Sequence, residues 1–450
     1  DKGTLAAGDR DAALGRLSVA GGLEELAGCH VVVEAVVEDL AVKRAVFAAL
    51  EAVVAPDAVL ATNTSSLSVT TIAAGCRQPG RVAGFHFFNP VPLMALVDVI
   101  DGIRTEPWVA DALVALAGRL GKRPVRVRDA PGFLVNQVGR GLTIESAHIV
   151  EETGIPFADV DRILRDGLGL RMGPFELMDL TALDVTQPAT ELIYAQTFDE
   201  PRFRPSGLMR ARLEAGLLGR KTGRGFYAYA DGRKVEEPEE PPSDARPASV
   251  WVGWGDAAGR AALLHLLPRL GAVVETGDRP GDSALCLVTP LGDDATAACL
   301  AENLPPERTV AVDTVPALER RRTLMATPLT RPDVRAAARG LFAADGVPAT
   351  LIPDCPGFVA QRVAAMIVNL GCAVAQRRVA SPADVDTAVT LGLGYPLGPL
   401  ALGDALGPAR LLAVLEGLLR ATGDPRYRPS PWLARRARLG VSLLTPDAGA

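Results

Sequence analysis

A pentapeptide that returns 225 residues downstream constrains this chain more than any other feature. Asp129-Ala130-Pro131-Gly132-Phe133 reappears as Asp354-Cys355-Pro356-Gly357-Phe358, and Asp161, Gly173-Pro174 and Asp179 return as Asp386, Gly398-Pro399 and Asp404 at the same offset of 225. Acids and Gly-Pro turns held in one register over such a span predict a helical domain present twice. Arg204-Pro205-Ser206 likewise returns as Arg428-Pro429-Ser430, one residue out of step. Residues 230–249, between the copies, are rich in Pro and Glu and predict a solvated linker. After it, Val250-Trp251-Val252 runs into Gly253-Trp254-Gly255-Asp256-Ala257-Ala258-Gly259, a near miss to a dinucleotide fingerprint whose last glycine falls one residue late. Residues 250–345 therefore read as a worn nucleotide-binding region, and 346–445 as the second helical domain.

Ahead of the repeat, apolar runs alternate with helical stretches, which predicts an α/β sheet. Val31-Val32-Val33-Glu34-Ala35-Val36-Val37-Glu38 reads as a buried strand ending in acids, with Lys43 on the helix that follows. Val59 to Leu67 is a strand running into a polar turn, Arg81 to Phe85 a short buried strand, Asn89-Pro90-Val91-Pro92 a forced turn, and Leu96 to Ile100 a further apolar run. His86 thus lies where a strand opens into its loop. In open α/β sheets ligands bind outside the carboxyl ends of the strands, so an imidazole there can face a substrate while Asp98 holds it. Such a pair suits proton abstraction from an alcohol, because histidine titrates near working pH and a carboxylate fixes its tautomer and stabilises the imidazolium. A His twelve residues before an Asp is, by itself, a common structural pairing.

The surrounding residues make the pattern specific. Glu38, Lys43, Ser65, the run Gly84-Phe85-His86-Phe87-Phe88-Asn89-Pro90, Asp98, the Asp129 to Asn136 turn, Gly173-Pro174 and Gly219 to Tyr227 follow in an order and spacing that resemble the 3-hydroxyacyl-CoA dehydrogenase family from about residue 1 to 229. The resemblance implies a Rossmann-type NAD-binding domain over 1–128 and an all-α C-terminal domain over 129–229. It implies that His86 and Asp98 are a catalytic dyad acting on an acyl-CoA substrate with NAD as cofactor. Ser65 and Asn136 match substrate-binding positions; Glu38, Lys43, Ser65 and Asn89 match positions around the cofactor. Read without it, Glu38 is a helix cap, Lys43 a solvated charge, Ser65 a turn former and Asn136 a helix residue facing water. Two departures stand out. The dyad acid is usually Glu, so the shorter Asp98 predicts a longer or water-bridged contact with His86. The family's Asn-Arg pair is Asn136-Gln137 here, which removes a charge.

The family carries its glycine-rich phosphate loop in a first strand–helix unit, and no such loop lies before Val31. The chain is therefore expected to lack roughly fifty residues, about one βαβ unit with its extra helix, and to bind NAD poorly by itself.

Composition fits a cytoplasmic enzyme. A 48% hydrophobic content over 450 residues supports several cores, and a net charge of −6 gives no support for nucleic-acid binding. No apolar run is expected to reach membrane-spanning length. The six cysteines, at 29, 76, 286, 299, 355 and 372, show no metal spacing, so no metal is expected and reduced thiols are.

In the second half, aligning Thr327-Pro328 with Asn89-Pro90 puts Leu324 at the position of His86, and the repeat puts Gln361 at that of Asn136. The second half is expected to have lost the reaction and kept the fold, its helical copy pairing with the first as an internal pseudo-dimer unless the chain forms a homodimer. The tandem arrangement most resembles the two-module members acting on 3-hydroxyadipyl-CoA in phenylacetate degradation, with 3-hydroxybutyryl-CoA the alternative. A non-catalytic CoA-binding or structural relative is the reading from another class.

Overall fold

The computed structural model describes residues 7–448, which form two compact units divided after Asp129. The first contains α1 (Ala7–Leu14), β1 (Val31–Glu34), α2 (Leu40–Val53), β2 (Val59–Thr62), α3 (Val69–Ala73), β3 (Val82–Phe87), β4 (Leu96–Asp101), α4 (Pro107–Arg119) and β5 (Arg123–Arg128). The strands form one sheet in chain order, parallel except between β3 and β4. The central strands β2, β3 and β4 are buried along nearly their whole length because both faces are covered, whereas β5 at the edge alternates exposed Arg with buried Val. Ala61, Ala83 and Phe85 pack against Val109, Ala110 and Leu113 of α4, while Leu60 and Val82 meet Phe47, Leu50 and Ile72 of α2 and α3.

The second unit opens with α5 (Val135–Thr153), α6 (Phe157–Leu168), α7 (Pro174–Thr181), α8 (Leu183–Gln196), α9 (Gly207–Glu214) and a hairpin, β6 (Tyr229–Ala230) with β7 (Arg233–Lys234). A second α/β region follows, with β8 (Val250–Val252), α10 (Ala257–Leu266), β9 (Leu285–Val288), α11 (Ala295–Ala301), β10 (Thr309–Val312), β11 (Arg322–Ala326), α12 (Pro332–Phe342) and β12 (Ala349–Ile352). Helices α13 (Val359–Gln376), α14 (Pro382–Leu393), α15 (Pro399–Leu406), α16 (Pro408–Thr422) and α17 (Pro431–Leu439) complete it. The second sheet repeats the first, parallel except between β10 and β11.

The duplicated residues do the same work twice. Asp161 accepts from the Phe175 and Glu176 N–H groups at 2.9 and 3.0 Å at the start of α7, and Asp386 from those of Leu400 and Ala401 at 2.8 and 2.9 Å at the start of α15. Any side chain on Gly173 or Gly398 would meet these carboxylates within 2.4 Å, so the Gly-Pro turn is tied to the acid. Between the copies, α13 crosses α5 so closely that a Cβ on Gly141 would sit 3.0 Å from the Ile367 backbone. Buried charges bridge the crossing. Glu145 accepts from Arg362 at 2.8 Å and from the Tyr427 hydroxyl at 2.7 Å, and Arg362 also reaches Glu152 at 2.7 Å.

Residues 230–249 are mostly exposed, as a solvated linker would be, although β6 and β7 form a hairpin at their start, Lys234 pairs with Glu176, and Glu239 accepts from Arg321 at 2.6 Å. Two expectations need correction. The α/β region runs on through β12, which pairs in register with β11 (Arg322 opposite Ala349), so its end lies near Ile352 rather than at 345. Leu324 lies on β11 opposite Val312, as Val99 lies opposite Phe85. The counterpart of His86 is therefore the next residue of the other strand, Asp313, whose N–H donates to the Thr323 carbonyl at 2.9 Å. A Pro turn follows both β3 and β11, and spacing alone did not say which strand it closed.

Candidate active site

His86 occupies the penultimate position of β3, and the antiparallel register that pairs Gly84 with Ile100 sets it directly opposite Asp98 on β4. A one-residue slip would send the two side chains to opposite faces, so the register itself makes the pair. His86 Nδ1 lies 3.2 Å from Asp98 Oδ2. The contact is direct rather than water-bridged, and at 3.2 Å it lies at the long end for a nitrogen–oxygen hydrogen bond, as the shorter acid leads one to expect. Burial pushes the Asp98 carboxyl above its usual range, and the bond and charge of His86 only partly oppose this. Phe88 leans on the imidazole at 4.5 Å between ring centres, and the Phe87 N–H donates to Asn63 Oδ1 at 2.8 Å, which fixes the peptide after the histidine. Asn63 was not singled out from sequence, although the polar run at the end of β2 was the available signal.

Glu38 and Ser65 also come together. The Glu38 carboxylate accepts from the Ser65 N–H at 2.9 Å, the Ser66 N–H at 3.0 Å and the Thr64 hydroxyl at 2.6 Å. Burial alone would raise the Glu38 carboxyl, but the hydrogen bonds from Thr64 and Ser66, the charge of Lys43 and the Ser65 amide outweigh it and hold it below the usual range. Glu38 thus shapes the loop that carries Ser65. Lys43, far from a solvated charge, is buried on α2, with Nζ 2.8 Å from Glu34 and 3.3 Å from Glu38. Glu34, also bonded by Thr62 at 2.7 Å, was read only as a strand end and is the hidden partner that places Lys43. Asn89 is exposed in the turn after β3. Asn136, half-buried at the start of α5, belongs to the second unit.

The polar groups at the carboxyl ends of β1 to β3 are of the kind that accepts a nicotinamide and its ribose. They do not make a pyrophosphate cradle: Asp39 caps α2 and accepts from the Val42 N–H at 2.9 Å, so a carboxylate stands where a phosphate would need open N–H groups. In the second α/β region the near-miss loop is filled from within. Asp256 caps α10 by accepting from the Gly259 N–H at 2.8 Å and pairs with Arg410 at 2.8 Å, while Glu302 accepts from the Trp254 N–H at 2.9 Å. Asp313 and Thr323 stand where the first sheet has His86 and Asp98, and Gln361 donates to Asp313 at 3.1 Å. Among the described residues no group of three His, Cys, Asp or Glu side chains converges for a metal.

Residues 1–130 match the NAD-binding domain of 3-hydroxyacyl-CoA dehydrogenase, and residues 132–229 and 357–443 each match its C-terminal domain. A 3-hydroxyadipyl-CoA dehydrogenase of Escherichia coli is 36% identical over 440 residues, spanning 97% of this chain and 87% of that protein. A 3-hydroxybutyryl-CoA dehydrogenase of Mycobacterium tuberculosis is 42% identical over 223 residues, spanning 49% of this chain and 78% of its own. The crystal structure of an Escherichia coli 3-hydroxybutyryl-CoA dehydrogenase superposes with a TM-score of 0.85 at 35% identity, over 97% of this chain and 87% of that one. With its NAD-binding domain matched once and its C-terminal domain twice, the chain belongs to the 3-hydroxyacyl-CoA dehydrogenase family.

Proposed function

We propose that the protein oxidises a (3S)-3-hydroxyacyl-CoA to the 3-oxoacyl-CoA, with His86 as the general base. The observation that carries this is the direct contact of His86 Nδ1 with Asp98 at the carboxyl end of a sheet strand. With Nδ1 turned to the carboxylate, Nε2 takes the proton of the 3-hydroxyl. Asp98 orients the ring and offsets the positive charge that forms on it. NAD, when bound, supplies the hydride acceptor. Glu38 holds the Ser65 loop, Ser65 and Asn136 bind the substrate, and Ser65, Asn89, Glu38 and Lys43 form the cofactor side, Lys43 acting through its ion pairs with the two acids. We take the substrate to be 3-hydroxyadipyl-CoA, since the relative of that name spans nearly this whole chain; 3-hydroxybutyryl-CoA is the second reading, favoured by the name of the superposed structure. The protein acts in the cytoplasm, and its second unit divides into a helical region, a linker, a degenerate α/β region and a second helical region.

NADH formation should be followed by absorbance with both thioesters. Turnover of at least one is expected, and His86→Gln should lower it by about a hundredfold or more with the fold kept, as judged by circular dichroism. Unimpaired turnover in that variant would remove His86 from the role. Thioester binding with no turnover in the unaltered enzyme would support the non-catalytic reading instead.

A further inference from the structure

Helix α13 ends beside the start of α5. There Arg377 donates to the side-chain oxygen of Gln137, and the Gln137 amide donates to the Phe133 carbonyl at 2.6 Å. Gln137 is fully buried. Phe133 and Gly132 both hold left-handed backbone, with φ of 49° and 69°. A Cβ on Gly132 would lie 2.7 Å from Ile193 and 3.5 Å from Asn136, so this strained turn sets where Asn136 leaves the backbone. Its carbonyl at Phe133 is held by Gln137, and Gln137 is held from the other repeat.

The repeat shows that this is an exchanged pair. At the offset of 225, Gln137 corresponds to Arg362 and Glu152 to Arg377. Across the same helix crossing Arg362 donates to Glu152 at 2.7 Å, so one side keeps an Arg–Glu pair and the other, next to Asn136, has Gln–Arg. Burial of its charged end, reinforced by nearby Arg202, pushes the Arg377 guanidinium below its usual range, while the residue as a whole remains exposed at the end of α13.

We propose that Arg377, in the half that has lost the dyad, is a positioning residue for the reaction, acting through Gln137 and the Phe133 carbonyl on the turn that aims Asn136. This rests on the reading of Asn136 as a substrate residue. The intact enzyme should be assayed as Arg377→Met, Asn136→Ala and the double variant, each with its melting temperature. Arg377→Met is expected to lower kcat/KM for the acyl-CoA about tenfold, the scale of loss for a displaced positioning group, and to leave KM for NAD unchanged. In the Asn136→Ala background it should cost nothing further, because the group it aims is gone. Arg377→Lys, which keeps the charge and most of the stem, should recover part of the loss and serves if the Met variant folds poorly. The swap Gln137→Arg with Arg377→Glu rebuilds the pair seen at Arg362 and Glu152 and should restore activity more fully than either single change. Equal losses from Arg377→Met in both backgrounds, or a loss that follows melting temperature alone, would overturn the proposal while leaving the site reading intact. Full activity in Asn136→Ala would overturn both.

Discussion

One oxygen of the deeply buried Asp98 carboxyl faces His86, while among the described residues its Oδ1 has no hydrogen-bond partner. Asp98→Asn keeps the shape but can present an N–H to Nδ1 and so turn the imidazole into the wrong tautomer. Turnover measured by NADH formation should fall at least about tenfold, and equal rates would mean that another group holds the ring. Asp98→Glu, the residue more usual in the family, must find room for a methylene beside a carboxyl that is 1% exposed and should lower the melting temperature. The counterpart residue Asp313 carries the clearer pH dependence. Burial raises it to about 6, more than Gln361, the Val315 amide and Arg410 can offset. Since the folded pKa lies above the ordinary value of 3.8, the stability is full below about pH 4 and is lost as pH rises to 6. Asp313→Asn, whose oxygen still accepts from Gln361, should therefore raise stability at pH 7.5 by about 1–2 kcal/mol in urea unfolding and change nothing at pH 4. A uniform shift at both pH values would refute this. The dyad was legible in sequence because both its members flank one Pro-bounded turn. Lys43 was not, because its partner Glu34 becomes visible only once β1 and α2 are packed.

At the scale of elements, the repeat was legible because acids that hold helix starts cannot drift from the Gly-Pro turns they cap, as Asp161 and Asp386 show. Strand order was not, since apolar runs carry no record of direction; hence Leu324 was set on the wrong strand. The buried bridge between α5 and α13 was also hidden. Glu145, Arg362 and Tyr427 look unremarkable in sequence and meet only when the two copies cross. Removing one member leaves the other charge in the interior. Arg362→Met should cost about 3 kcal/mol or more in denaturant unfolding, and Glu145→Leu combined with it should recover much of that. A single-variant cost below about 1 kcal/mol would show the pair to be dispensable.

For the whole molecule, the one helix long and apolar enough to cross a membrane, among the described residues, is Val359–Gln376, and 94% of it is buried inside the second unit. Its apolar character is explained by what surrounds it. Because α5 and α13 belong to one polypeptide, their pairing is governed by effective concentration rather than by mass action. Two separate chains meeting through such a surface would come apart on dilution, and their melting temperature would fall with it. Here the midpoint and the activity per molecule should hold constant across a thousandfold range of protein concentration, and a midpoint that drops on dilution would show that contacts between chains carry the stability. A fused partner is also always a matched one: the surface of α13 has only ever had to fit a single α5, which leaves it free to lose the twofold likeness that a pair of identical chains must keep.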